Sequence, residues 1–150
     1  MAIRDSRHDN LKSRVMLSGQ YGHDQTSENY DYNQALLDEQ FELHYQPIFN
    51  LETGRISGFE ALLRWYHPVL GMVSPVEFIP IAESSGLIVQ LGLFAIQRAA
   101  EDLYAWQEQF PKLDLFVSVN LSSTQLIRQD LINDVRSVLS RIHLTPGSLK

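Results

Sequence analysis

"GFEALLRW", Gly58 to Trp65, sets an acid and a base inside an otherwise apolar run. The acid is Glu60 and the base is Arg64. Alternate residues of a strand face opposite ways, so Glu60, Leu62 and Arg64 share one face and Phe59, Ala61 and Leu63 the other. At roughly 3.3 Å per residue the two charges stand about 13 Å apart along the strand. That is too far for an ion pair on one straight strand, so each charge needs its own partner. A buried carboxylate without one is costly. A divalent cation suits Glu60, and a phosphate suits Arg64, whose planar fork donates in pairs. The plainer alternative is two charges near a strand end, met by water or by groups elsewhere. The spacing leaves both open.

The flanking sequence places this strand in a fold. "FELHYQPIFNL", from Phe41, alternates: Phe41, Leu43, Tyr45, Pro47 and Phe49 point one way, and Glu42, His44, Gln46 and Ile48 the other. "ETGR" reads as a turn, so the two strands form an antiparallel hairpin. "SPVEFIPIAESSG" opens a helix with Ser74 as N-cap, Pro75 as first helical residue and Glu77 three after the cap. Pro80 should kink or restart it, and Gly86 should end it. The next helix runs through "LIVQLGLFAIQRAAEDLYAWQEQF", with Leu87, Leu91, Phe94, Ala95, Leu103 and Trp106 as core positions. "LDLFVSVNLSS" is a third strand. "DLINDVRSVLSRI" is a helix with Leu131, Val135, Val138, Leu139 and Ile142 inward, and "SLK" starts a fourth strand. Strands alternating with amphipathic helices define an α/β architecture with a mainly parallel sheet.

Residues 1–32 differ in character. They are polar and lack sustained periodicity, apart from a short amphipathic stretch in "LKSRVML", and read as a linker or helical connector. "NQALLDEQ" offers one helical turn, with Ala35, Leu36 and Leu37 able to pack.

The 150 residues suit one domain, and an apolar fraction of 44% suits a folded one. Net charge is −6, without clustered Lys or Arg, which argues against a nucleic-acid polymer as partner. A small phosphate ligand held by one or two arginines remains compatible. With no cysteine, disulfides, thiolate metal sites and thiol nucleophiles are excluded. No apolar run approaches the roughly 20 residues of a membrane span. These features fit a cytoplasmic protein, and equally one whose longer parent is tethered by other segments.

Two further residues have chemistry to offer. Asn120 follows the third strand, at the end where parallel barrels bind ligands. Its amide oxygen suits a hard cation, although a lone Asn there is commonly a turn former. Gln46, beside Pro47, can hydrogen-bond a base edge, or be an ordinary polar residue. His8, His23, His44, His67 and His143 lack metal-pair spacing. Glu77 is explained by capping, and Glu83, Glu101 and Asp102 by a solvated helix surface. There is no glycine-rich phosphate loop and no nucleophile elbow.

Together, "FELHYQPIFNLETGRISGFEALLRW", "GMVSPVEFIPIAESSGLI" and "FVSVNLSSTQL" resemble the first half of the EAL domain, the bacterial cyclic di-GMP phosphodiesterase. "EAL" itself stands at Glu60, Ala61 and Leu62. The resemblance spans residues 41–150 and assigns 33–150 to the N-terminal half of such a domain. It implies a TIM-like (β/α)8 barrel with an antiparallel first strand, here cut to about its first three strands. It implies hydrolysis of cyclic di-GMP to linear pGpG, assisted by Mg²⁺ or Mn²⁺. Glu60 and Asn120 match metal ligands. Gln46, Leu62 and Arg64 match substrate contacts, with Arg64 on a phosphate.

The family's second metal-ligand Glu, its paired aspartates, its Lys near the attacking water and a later Glu all fall beyond Lys150. The chain alone is therefore expected to lack phosphodiesterase activity, and its open sheet to aggregate or stay partly ordered. The alternatives are an EAL module that binds cyclic di-GMP without cleaving it, and one that serves protein interaction. "DSRHDNLKSRVML" resembles the helical connector between a diguanylate cyclase (GGDEF) domain and an EAL domain. An upstream GGDEF or sensor domain is thus a candidate partner in a longer parent, and an EAL homodimer is a separate candidate that the sequence leaves open.

Overall fold

The computed structural model describes residues 31–150. The amphipathic stretch near residues 11–16 and the connector resemblance lie outside the described residues. Helix α1 (Tyr32–Leu37) is capped by Asp31, whose Oδ1 accepts from the Gln34 N–H at 3.0 Å. Tyr32, which its polar surroundings group with the linker, is instead 2% exposed and packs 5.1 Å from the Trp65 ring. Ala35 and Leu36 are buried beside it.

The hairpin forms as its alternation predicts. Strand β1 (Phe41–Phe49) pairs antiparallel with β2 (Ile56–His67), Phe41 opposite Trp65 and Gln46 opposite Glu60. A bulge at Ile48/Phe49 adjusts the register near the turn. A short strand, β3 (Gly71–Val73), which its length hides in the sequence, folds back on the end of β2. Strand β4 (Phe116–Val119) lies parallel to β2, with Ser118 opposite Glu60. The expected fourth strand is present as an edge contact: the Val117 N–H donates to the Ser148 carbonyl, and the Lys150 N–H to the Val117 carbonyl, both at 2.8 Å. Close approach of β4 to β2 depends on Gly58, where a Cβ would stand 2.5 Å from the Phe116 carbonyl oxygen.

Helix α2 (Pro75–Ser84) starts at Ser74, whose N–H donates to Glu77 Oε2 at 3.3 Å. It runs through Pro80 without a restart. Val76, whose carbonyl loses its helical partner to that ring, is exposed, so water can replace the bond. Gly86, at φ +77°, separates α2 from α3 (Ile88–Gln109). The buried stripe of α3 is Ile88, Leu91, Gly92, Ala95, Ile96, Ala99, Ala100 and Leu103. Small residues dominate because the helix lies close on the sheet. Phe94 and Trp106, expected in the core, are partly buried at its margins.

After β4 come a short helix, α4 (Ser123–Leu126), and α5 (Leu131–Leu139). Of the five inward residues expected for α5, Val138 alone is fully buried, and Ile142 falls beyond the helix.

Two apolar clusters hold the sheet to its helices. One gathers Tyr32, Phe41, Trp65, Phe78 and Leu91. Phe41 stacks on Trp65 at 5.4 Å, and Phe78 meets Trp65 edge-on at 5.8 Å. The other joins Ala61, Ala99, Leu103, Leu115 and Val117, with Tyr45, Phe59 and Trp106 around it. Both clusters take the Phe59/Ala61/Leu63/Trp65 face of β2. The opposite face, with Glu60, Leu62 and Arg64, is turned away from the helices.

Candidate functional site

The helix-free face of the sheet carries all five candidate residues. Strand register sets them in rows: Gln46 opposite Glu60, His44 opposite Leu62, and Glu42 opposite Arg64. Parallel pairing places Ser118 beside Glu60 from the other side. Asn120, one residue past β4, completes the group: its Nδ2 donates to Glu60 Oε1 at 2.5 Å.

Glu60 is half-buried and Asn120 exposed. Each oxygen-bearing side chain has the other within reach, which spacing along β2 cannot reveal. A half-turn of the Asn120 amide presents Oδ1 in place of Nδ2 beside the carboxylate. Two hard oxygen donors would then face one position, a donor pair whose chemistry suits a divalent cation such as Mg²⁺ or Mn²⁺. Among the described residues no three His, Asp or Glu side chains gather as a metal cage.

Arg64 is half-buried and forms no ion pair among the described residues. Its Nη1 donates to the neighbouring Leu63 carbonyl at 3.0 Å. Glu42, directly opposite, is engaged elsewhere, its Oε1 lying 2.7 Å from His44 Nε2. The remaining guanidinium donors are thus available to an anion. Leu62 is half-buried between Glu60 and Arg64, and Gln46 is exposed across from Glu60.

Two neighbours outside the expected set share these surroundings, and a third, Gln125, lies behind them against α3. Ser118 lies beside Glu60, and the Phe116/Ser118/Asn120 alternation is its signal. His44 lies between Glu42 and Gln46, with Tyr66 Oη 3.4 Å from its Nε2. Gln125 is 2% exposed and accepts at Oε1 from the Ser122 N–H at 3.0 Å. Its signal is the Ser-x-x-Gln spacing of a capping box.

On the opposite face, Asp102 departs from the solvated role expected for it. It accepts from Tyr45 Oη at 2.7 Å and lies 3.3 Å from Arg98 Nε, tying β1 to α3. Burial, then the bond to Asp102, pushes the Tyr45 hydroxyl well above its ordinary value.

A hairpin with an antiparallel first strand, β4 parallel to β2, helices on one face and a Glu/Asn/Arg constellation on the other define the opening part of a TIM-like α/β barrel. The EAL domain family matches residues 30–150, and the chain belongs to that family. It is 40% identical over 120 residues to the bifunctional diguanylate cyclase/cyclic di-GMP phosphodiesterase MucR of Pseudomonas aeruginosa, covering 80% of this chain and 17% of that protein. It is 41% identical over 118 residues to the cyclic di-GMP phosphodiesterase NbdA of the same organism, covering 76% and 14%. A solved structure of PaMucR phosphodiesterase in complex with c-di-GMP superposes with a TM-score of 0.74 at 40% identity, covering 79% of this chain and 48% of that one. The chain thus spans less than a fifth of these relatives and about half of the solved domain. Among the described residues no helix is long and apolar enough to cross a membrane.

Proposed function

We propose that this chain is the N-terminal half of a metal-dependent phosphodiesterase domain that hydrolyses cyclic di-GMP to pGpG in bacterial signalling. The observation that carries the reading is Glu60 and Asn120 meeting on the helix-free face, with Arg64 two rows along the same strand. Glu60 and Asn120 would hold a divalent cation, Mg²⁺ or Mn²⁺. When bound, such a cation lowers the pKa of a coordinated water and offsets charge growing on phosphate oxygens. Arg64 grips a phosphate oxygen through its free donors and fixes the dinucleotide along the sheet. Gln46 hydrogen-bonds the ligand from β1, and Leu62 packs beneath it. Among the described residues no base stands beside Glu60 and Asn120, so the reading needs a base and further ligands from elsewhere in the barrel. Parentage in a protein with an upstream GGDEF or sensor domain, and pairing of two EAL domains, belong to the same reading.

The test is incubation with cyclic di-GMP and Mg²⁺ or Mn²⁺, following pGpG by chromatography. The 150-residue chain runs beside a version continued through the remaining barrel strands. The reading expects pGpG from the continued chain alone. Binding without cleavage in that chain would replace it with the non-catalytic EAL module.

A further inference from the structure

We infer that Gln125 is a positioning residue for Asn120, seated in a notch that only glycine at position 92 leaves open. The inference rests on the reading of Glu60 and Asn120 as partners at one cation, and extends it to the residues that keep them together.

Asn120 is exposed and one residue beyond β4, so its own burial does not fix it. On the strand side the backbone is held at Val119, whose N–H donates to the Lys150 carbonyl at 2.9 Å. On the other side the first anchored residue is Ser122. Its N–H donates to Gln125 Oε1 at 3.0 Å, and its Oγ accepts from the Gln125 N–H at 3.4 Å.

Gln125 is itself anchored. It is 2% exposed, and its amide lies against Gly92 in the second turn of α3. A Cβ on Gly92 would stand 1.7 Å from Gln125 Nε2 and 2.8 Å from its Cδ. No side chain at 92 is compatible with that placement. An amide buried on a helix carries a desolvation cost that a leucine of similar size would avoid. Here the acceptor is used on the Ser122 N–H, two residues from Asn120. Gly92, Gln125 and Ser122 therefore form a strut from α3 to the loop that presents Asn120 to Glu60.

The test follows the side-chain amide resonances of Asn120 in the ¹⁵N-labelled chain continued through its remaining barrel strands, identified by their loss in Asn120→Asp. Glu60→Ala should shift these resonances, because it removes the acceptor. In a Gln125→Glu background, which keeps the acceptor for Ser122, that shift is expected to persist. In a Gln125→Leu background it is expected to vanish, with the backbone resonances of Leu103 and Val117 unmoved. Gly92→Ala, which expels the amide from its notch, should also abolish it. Where the leucine variant does not fold, Gln125→Ala removes the same acceptor without adding bulk. A Glu60-dependent shift of full size in Gln125→Leu or Gln125→Ala would overturn the proposal and leave Gln125 a packing residue. Neither metal nor cyclic di-GMP enters this readout, so its failure is separate from failure of the phosphodiesterase reading.

Discussion

Asn120 donates from Nδ2 to Glu60 Oε1 at 2.5 Å, joining residues 60 apart in the chain across two parallel strands. The contact gives the half-buried acid a partner, and that partner can turn an oxygen toward the same space. In a domain carrying all its barrel strands, Asn120→Ala is expected to weaken Mn²⁺ binding by at least the ~10–100-fold typical of losing a residue that supports a metal site. Calorimetric titration of Mn²⁺ into wild type and variant measures it.

Arg64 supplies a planar donor pair that a lysine cannot reproduce. Arg64→Lys keeps the charge and loses the fork. One charge-assisted hydrogen bond is worth about 1.5–3 kcal/mol, so affinity for cyclic di-GMP should fall roughly 10–150-fold. Equilibrium binding to the complete domain, under conditions that block cleavage, reads this out.

Tyr45 provides the pH dependence. Its hydroxyl is held protonated in the fold by burial and by Asp102, whereas the unfolded chain releases that proton near 10.0. A raised folded value contributes stability in full below pH 10, lost as pH rises through the folded value. Urea midpoints should therefore drop above pH 10 more steeply in wild type than in Tyr45→Phe.

Trp65 and Gly58 test the sheet's packing. Trp65→Ala empties the centre of the aromatic cluster and should cost about 3–5 kcal/mol. Gly58→Ala drives a methyl into the Phe116 carbonyl and should cost about 1–3 kcal/mol. Denaturant unfolding of the chain continued through its remaining barrel strands checks both.

Much of this arrangement was legible because it rests on short-range periodicity. Period-two alternation marked both strands of the hairpin and put Glu60, Leu62 and Arg64 on one face. The capping pattern from Ser74 to Glu77 fixed the start of α2. What stayed hidden depends on contacts between distant segments. Tyr32 sits in polar sequence, yet is drawn into the core by Trp65. Asp102 resembles any acid on a helix surface until Tyr45 arrives from β1. The meeting of Asn120 with Glu60 follows from the β2–β4 register, which neither strand specifies alone. Only the family resemblance singled out both residues as ligands of one site.

The central claim is that Glu60 anchors the chemistry of a cyclic di-GMP phosphodiesterase. The most direct measurement is the rate of pGpG formation in Mg²⁺ by the chain continued through its remaining barrel strands, wild type beside Glu60→Ala. The account predicts turnover in the first and its loss in the second, with the fold retained by circular dichroism. Equal rates in both would contradict it.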